Sequence, residues 1–128
     1  MKHSLIYEID HARRYVHVTY RFQPDFAEWE NTMDRILRDP DYVPGLGILL
    51  DRRYLMHPAD AEYMRRLVDY VERSDSRSGG ARWAILVTDD GSFRMGRMAE
   101  QLVSSERIRA FRELEKAREW AALPTGAA

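Results

Sequence analysis

Two segments near the start of the chain alternate apolar and polar side chains with a period of two. Leu5, Tyr7 and Ile9 alternate with Ile6, Glu8 and Asp10, and Val16, Val18, Tyr20 and Phe22 alternate with Tyr15, His17, Thr19 and Arg21. That period predicts two half-buried strands, joined as a hairpin across residues 10–14. The spacing then lengthens. Phe26, Trp29, Met33, Ile36 and Leu37 fall on one face of a helix. Pro24 suits its first turn, and Asp25 and Glu28 complement the positive end of its dipole. Pro40 and Pro44-Gly45 close it.

Residues 46–50 and 83–87 are continuous apolar runs, the pattern of strands covered on both faces. Between them Pro58 is expected to open a second helix, with Met64, Leu67, Val68 and Val71 facing inward and Tyr70 off that stripe as an exposed contact. Residues 74–80, rich in serine and glycine, read as a connecting loop. Met95, Met98, Ala99, Leu102 and Val103 mark a third helix, residues 108–111 a short edge strand, and residues 113–121 a last helix anchored by Leu114, Ala117 and Trp120. The order is β-β-α-β-α-β-α-β-α. Strands alternating with helices require crossovers, so the expected fold is α/β, with a four- or five-stranded, mostly parallel sheet and helices packed on it.

The chain of 128 residues fits one domain, 1–128, with an ordered core over about residues 4–123. Twenty basic residues against 21 acidic ones give a net charge of -1, which removes the electrostatic footprint of a nucleic-acid binder. There is no cysteine, so disulfides and thiol nucleophiles are excluded. No apolar stretch approaches the about 20 residues that span a bilayer, and no signal peptide is evident at the start. The expectation is a cytoplasmic protein without membrane insertion.

The stretches Glu28-Trp29, Ile36-Leu37-Arg38-Asp39-Pro40-Asp41-Tyr42-Val43-Pro44-Gly45 and Leu49-Leu50-Asp51-Arg52-Arg53 resemble the SpoIIAA-like branch of the STAS-like fold. So do Arg82-Trp83-Ala84-Ile85-Leu86-Val87, Met95-Gly96-Arg97-Met98 and Ala110-Phe111-Arg112-Glu113-Leu114, and together they cover nearly the whole chain. The resemblance implies that fold, in a branch known mainly as domains without an assigned activity. Better-known relatives are anti-sigma-factor antagonists, switched by phosphorylation of a serine after the third strand. Here that stretch reads Asp51-Arg52-Arg53-Tyr54-Leu55-Met56-His57-Pro58 and holds no serine or threonine, so the switch does not carry over. Other relatives bind lipids or small apolar ligands.

Candidate chemistry gathers where the parallel strands are expected to end, the edge at which open α/β sheets place ligands. Asp51, Arg52, Arg53 and Tyr54 follow one strand, and Thr88, Asp89 and Asp90 the next. Ser92, Arg94 and Arg97 lie at the start of the third helix, whose free amides favour an anion. Asp51 either faces a ligand or pairs with Arg52, Arg53 or loop amides. Asp90 or Ser92 is expected to cap the third helix. Residues 91–98 have the glycine spacing of a phosphate-binding loop, but Arg97 and Met98 stand where that loop needs a lysine and a hydroxyl residue. His57 is the histidine nearest this edge, and none of His3, His11, His17 and His57 has metalloprotease spacing.

The sequence therefore points to a non-enzymatic regulatory or small-ligand-binding domain that needs no cofactor or metal and takes a small anionic or acyl ligand. Met64, Met95 and Met98, with Tyr63 and Tyr70, either line an adaptable pocket or belong to the core. The alternatives are a metal-dependent enzyme acting on a phosphate-containing substrate, using Asp51 with Asp89 or Asp90, and a carrier of a lipid or other apolar ligand. A homodimer is expected through a surface helix or sheet edge, with the Trp29 and Trp120 rings left near helix surfaces.

Overall fold

The computed structural model describes residues 3–124. Strands β1 (Leu5–Asp10) and β2 (Tyr15–Tyr20) form the antiparallel hairpin. Helix α1 (Phe26–Arg38) leads to β3 (Gly47–Asp51), and α2 (Ala61–Arg73) leads through α3 (Asp75–Ser78) to β4 (Trp83–Leu86). Helix α4 (Asp90–Leu102), β5 (Ile108–Phe111) and α5 (Leu114–Ala121) complete the order. The sheet has five strands in the order β1-β2-β3-β4-β5, parallel except for the first pair. No helix among the described residues is long and apolar enough to cross a membrane.

The expected α/β architecture is present, and the two apolar runs are its most buried strands: every residue of β3 and β4 is buried. Several local expectations are corrected. Residues 74–80 contain the four-residue α3, ended by Gly79 at φ +69°, rather than an irregular loop. Pro24 and Pro58 lie before the caps and not in the first turns, because Asp25 and Asp60 cap α1 and α2 through the amides of Glu28 and Tyr63. Helix α4 is capped by Asp89, not by Asp90 or Ser92. In each case an aspartate three residues before an amide meets the capping geometry, and a proline, with no side-chain acceptor, cannot supply it.

Tyr70 is fully buried, not an exposed contact. Its ring packs edge-on against Trp29 and Trp83, and its hydroxyl donates to Asp34 at 2.7 Å, so a polar tip is satisfied while the ring joins the core. Trp29 is likewise fully buried and donates to the Tyr20 hydroxyl, and Trp120 is covered by Phe111 and the sheet.

Helices α1, α2 and α4 pack on one face of the sheet with Val16, Val18, Ile48, Leu50, Trp83 and Ile85. Right-handed crossovers that advance steadily in one direction place every crossover helix on the same side. The strand order therefore never reverses, and the sheet has no switch point at which neighbouring loops splay apart to form a crevice. The second face is closed by α5, whose Ala117, Trp120 and Ala121 cover Tyr15, Leu49, Ala84 and Leu86.

Gly47 sets how closely α5 can lie. A Cβ at this position would stand 2.0 Å from the Ala121 carbonyl oxygen, and the obstacle is backbone, which cannot rotate away. Gly47→Ala is expected to lift the C-terminal end of α5 and to cost about 3 kcal/mol of stability, the upper range for an overpacked core. A denaturant midpoint unchanged from the parent would contradict that contact.

Candidate functional site

Consecutive residues at the end of β3 point to opposite faces of the sheet. Asp51 falls on the α5 face, two residues beyond Leu49, whereas Arg52 turns to the face of α1 and α2. On the α5 face, β2 presents Tyr15 and His17 beside β3, with His17 registered on Leu49 and Thr19 on Asp51. The diagonal step from His17 to Asp51 is short enough for a direct bond: His17 Nε2 lies 3.0 Å from Asp51 Oδ2.

The bonds form one chain. Arg118 on α5 has only donors, and its Nε donates to the Tyr15 hydroxyl at 3.0 Å. The Tyr15 hydroxyl lies 2.9 Å from His17 Nδ1, and His17 Nε2 turns its N–H toward the Asp51 carboxylate. From the other side Arg53 clasps the same carboxylate, Nε to Oδ1 at 2.9 Å and Nη2 to Oδ2 at 2.8 Å, and its backbone amide adds a bond to Oδ1 at 3.1 Å. Asp51 is 1% exposed. Burial pushes its carboxyl up, but the bonds from His17 and Arg53 outweigh burial and hold it well below the usual carboxylate range.

Asp51 makes the pairing with Arg53 that was one of its two expected roles. A carboxylate has about four lone-pair directions, and His17, the Arg53 amide and the two Arg53 guanidinium bonds occupy them. Tyr15, His17 and Asp51 stand in the order of nucleophile, base and carboxylate, yet the Tyr15 phenol is buried and already accepts from Arg118. The chain of bonds ties α5 to the sheet where the apolar cover ends.

The remaining expected site residues are dispersed. Arg52 is buried at 6% exposure, lies 4.9 Å over the Tyr20 ring and donates to Gln23 Oε1 at 2.8 Å. Tyr54 is 71% exposed. Thr88 donates to the Arg53 carbonyl at 3.4 Å, so those two loops do meet. Asp89 accepts the Ser92 amide at 2.9 Å, and Ser92 is buried beneath it. Asp90 pairs with Arg112 at 2.6 Å. Arg97 pairs with Glu100, while Arg94 is exposed with no ion pair among the described residues. His57 is exposed and offers only its carbonyl, to Arg52. Gly91 and Gly96 both lie inside α4, and a Cβ on Gly96 would meet that of Ala110 at 2.7 Å. The glycine that looked like part of a phosphate loop serves helix-on-strand packing instead. Met64 is buried in the core, and Tyr63, Met95 and Met98 pack against it.

An apolar groove lies elsewhere, between α4, the outer edge of β5 and α5. Phe93, Phe111, Trp120 and Leu123 line about 610 Å³ of open space. The rings of Phe111 and Trp120 are 5.7 Å apart between centroids. Arg112 lies 4.6 Å over Phe93 and is held by Asp90, whereas Arg109, 6.0 Å from the Trp120 ring, is exposed without a carboxylate partner among the described residues. The groove runs along β5 from Arg109 to Phe111 and on to Arg112, rather than lying beyond the carboxyl ends of β3 and β4.

His17, Tyr15 and Arg118 are the polar residues that sequence reasoning did not single out. The alternation in β2 does place Tyr15 and His17 on one face, but their partners are 34 and 103 residues away. No family model, curated protein or solved structure matches this chain.

Removing the Asp51 carboxylate leaves Arg53 and His17 donating into a partly buried space, so Asp51→Ala is expected to cost about 3 kcal/mol. Because the folded carboxyl is more acidic than the unfolded one, its stabilisation is complete above about pH 4, the unfolded value, and is lost as pH falls toward the folded value. Urea titrations from pH 6 to pH 2 should show a flatter acid limb for Asp51→Asn than for the parent. Parallel limbs would contradict the paired carboxylate.

Proposed function

We propose that this protein is a non-enzymatic ligand-binding domain of regulatory type, whose ligand has an apolar or aromatic body and an acidic end. The observation that carries this reading is the groove of Phe93, Phe111, Trp120 and Leu123, of a size in the range of small-molecule sites. Arg109 on its rim supplies a cation with no ion pair among the described residues. Of the acidic residues that an enzyme of phosphate chemistry would use, Asp51 is engaged by His17 and Arg53, Asp90 by Arg112, and Asp89 through Oδ2 by the start of α4. This favours ligand binding over metal-assisted catalysis, with the anionic group beside Arg109 of β5. The STAS-like resemblance implies relatives that bind lipids or small apolar ligands, which accords with an apolar body for the ligand.

Medium-chain fatty acids and aryl carboxylates should raise the melting temperature and change the fluorescence of Trp120, an assignment that Trp120→Phe makes specific. Arg109→Ala should weaken binding about tenfold, the value of one charge-assisted bond. Stabilisation by divalent metals and nucleotides, with none from apolar acids, would overturn the reading.

A further inference from the structure

The two outer edges of the sheet are treated differently. On β5 the outward N–H of Ala110 is taken by Glu100 of α4 at 2.7 Å, and Arg97 pairs with Glu100, so a side chain blocks that edge. Among the described residues strand β1 has no such guard. The Arg21 amide donates to the Ser4 carbonyl at 2.7 Å, which fixes the alternation of the antiparallel ladder. Ser4, Ile6, Glu8 and Asp10 turn their backbone groups toward β2, and Leu5, Tyr7 and Ile9 turn theirs outward. No hydrogen bond among the described residues satisfies those three amides.

We propose that β1 is a self-association edge, at which two copies of this chain pair their β1 strands antiparallel about a two-fold axis through Tyr7 and join two sheets into one. The partner's chemistry follows from the register. With Tyr7 opposite Tyr7 of the second copy, Leu5 faces Ile9 and each outward backbone group meets its complement, since a two-fold axis is the operation that makes an antiparallel strand complementary to itself. Ile6 then faces Glu8, and Asp10 faces Ser4, so no like charges are opposed. Sliding the strands by one residue each way to put Glu8 on the axis would oppose Glu8 to Glu8, and sliding the other way would leave Ile9 without a strand partner. The central register is thus selected by both backbone count and charge.

The flanking surfaces agree with it. Ile6 is 47% exposed on the free face of β1, where a partner strand would cover it. On the other face Tyr7 borders a groove of about 530 Å³ with Asn31, Arg35, Arg38 and Pro40, which leaves room for the partner's Tyr7 ring beside its own. The Tyr7 hydroxyl is anchored to Asp39 at 2.8 Å, so the ring is held in place before a partner arrives.

The test is the mass in solution of the full chain by sedimentation equilibrium, with the 15.1 kDa chain as reference. Twice that mass is expected at high micromolar concentration. Ile6→Glu places a carboxylate opposite Glu8 of the other copy and should weaken association about tenfold or more, because the pair occurs twice. Ile6→Lys places a cation there and should preserve or tighten it. Tyr7→Pro, which removes an outward N–H that the monomer's ladder does not use, should give monomer, with unchanged circular dichroism showing that it folds. A parent that stays monomeric at all concentrations would overturn the proposal, as would a dimer whose affinity is the same in Ile6→Glu, Ile6→Lys and Tyr7→Pro.

Discussion

Three helices packed on one face of the sheet leave the opposite face of β3 and β4 to α5, and its eight residues must close it. Because β3 and β4 are apolar on both sides, the fold is not complete until that helix docks. Close docking explains the small residues in its path: Gly47 and Ala84 on the sheet, Ala117 and Ala121 on the helix. Tyr15 and Trp120 fill the spaces to either side. A short helix has little stability of its own, so α5 depends on this packing as much as the sheet depends on α5.

The polar chain from Arg118 to Asp51 begins where the apolar cover stops. Its members bridge α5, β2 and β3, and inside a partly buried site such bonds are stronger than the same bonds in water. The bond from Arg118 to the Tyr15 hydroxyl constrains the rotation of α5 in a way that apolar contacts alone do not. The other flank of the same helix contributes Lys116 and Trp120 to the apolar groove. A single helix thus carries both the polar lock and one wall of the proposed ligand site.

The carboxyl ends of β3 and β4 make the contrast clear. They hold a dense group of charged residues, but neighbouring strands follow one another in order and their loops stay close. Charges so near one another pair: Asp51 with Arg53, and Asp90 with Arg112 from the next strand end. The groove forms instead at the sheet's last strand, where no further crossover covers the space between α4 and α5.

Periodicity in the sequence determined the kinds of element and their order, because burial on one face, on both faces or along a helical stripe leaves a local record in every few residues. It also placed Tyr15 and His17 on one face of β2, Asp51 at the end of a buried strand, and aspartates beside the helix starts. It did not give the bond from His17 to Asp51 or the role of Arg118. Those depend on strand register and on which face the last helix chooses, and both are settled by contacts between residues far apart in the chain. The same holds for Tyr70, off the apolar stripe of its helix yet buried because α1 and β4 close over it and Asp34 satisfies its hydroxyl. What a side chain is could be read from one position, whereas what it touches was decided only when helices and strands distant in sequence packed together.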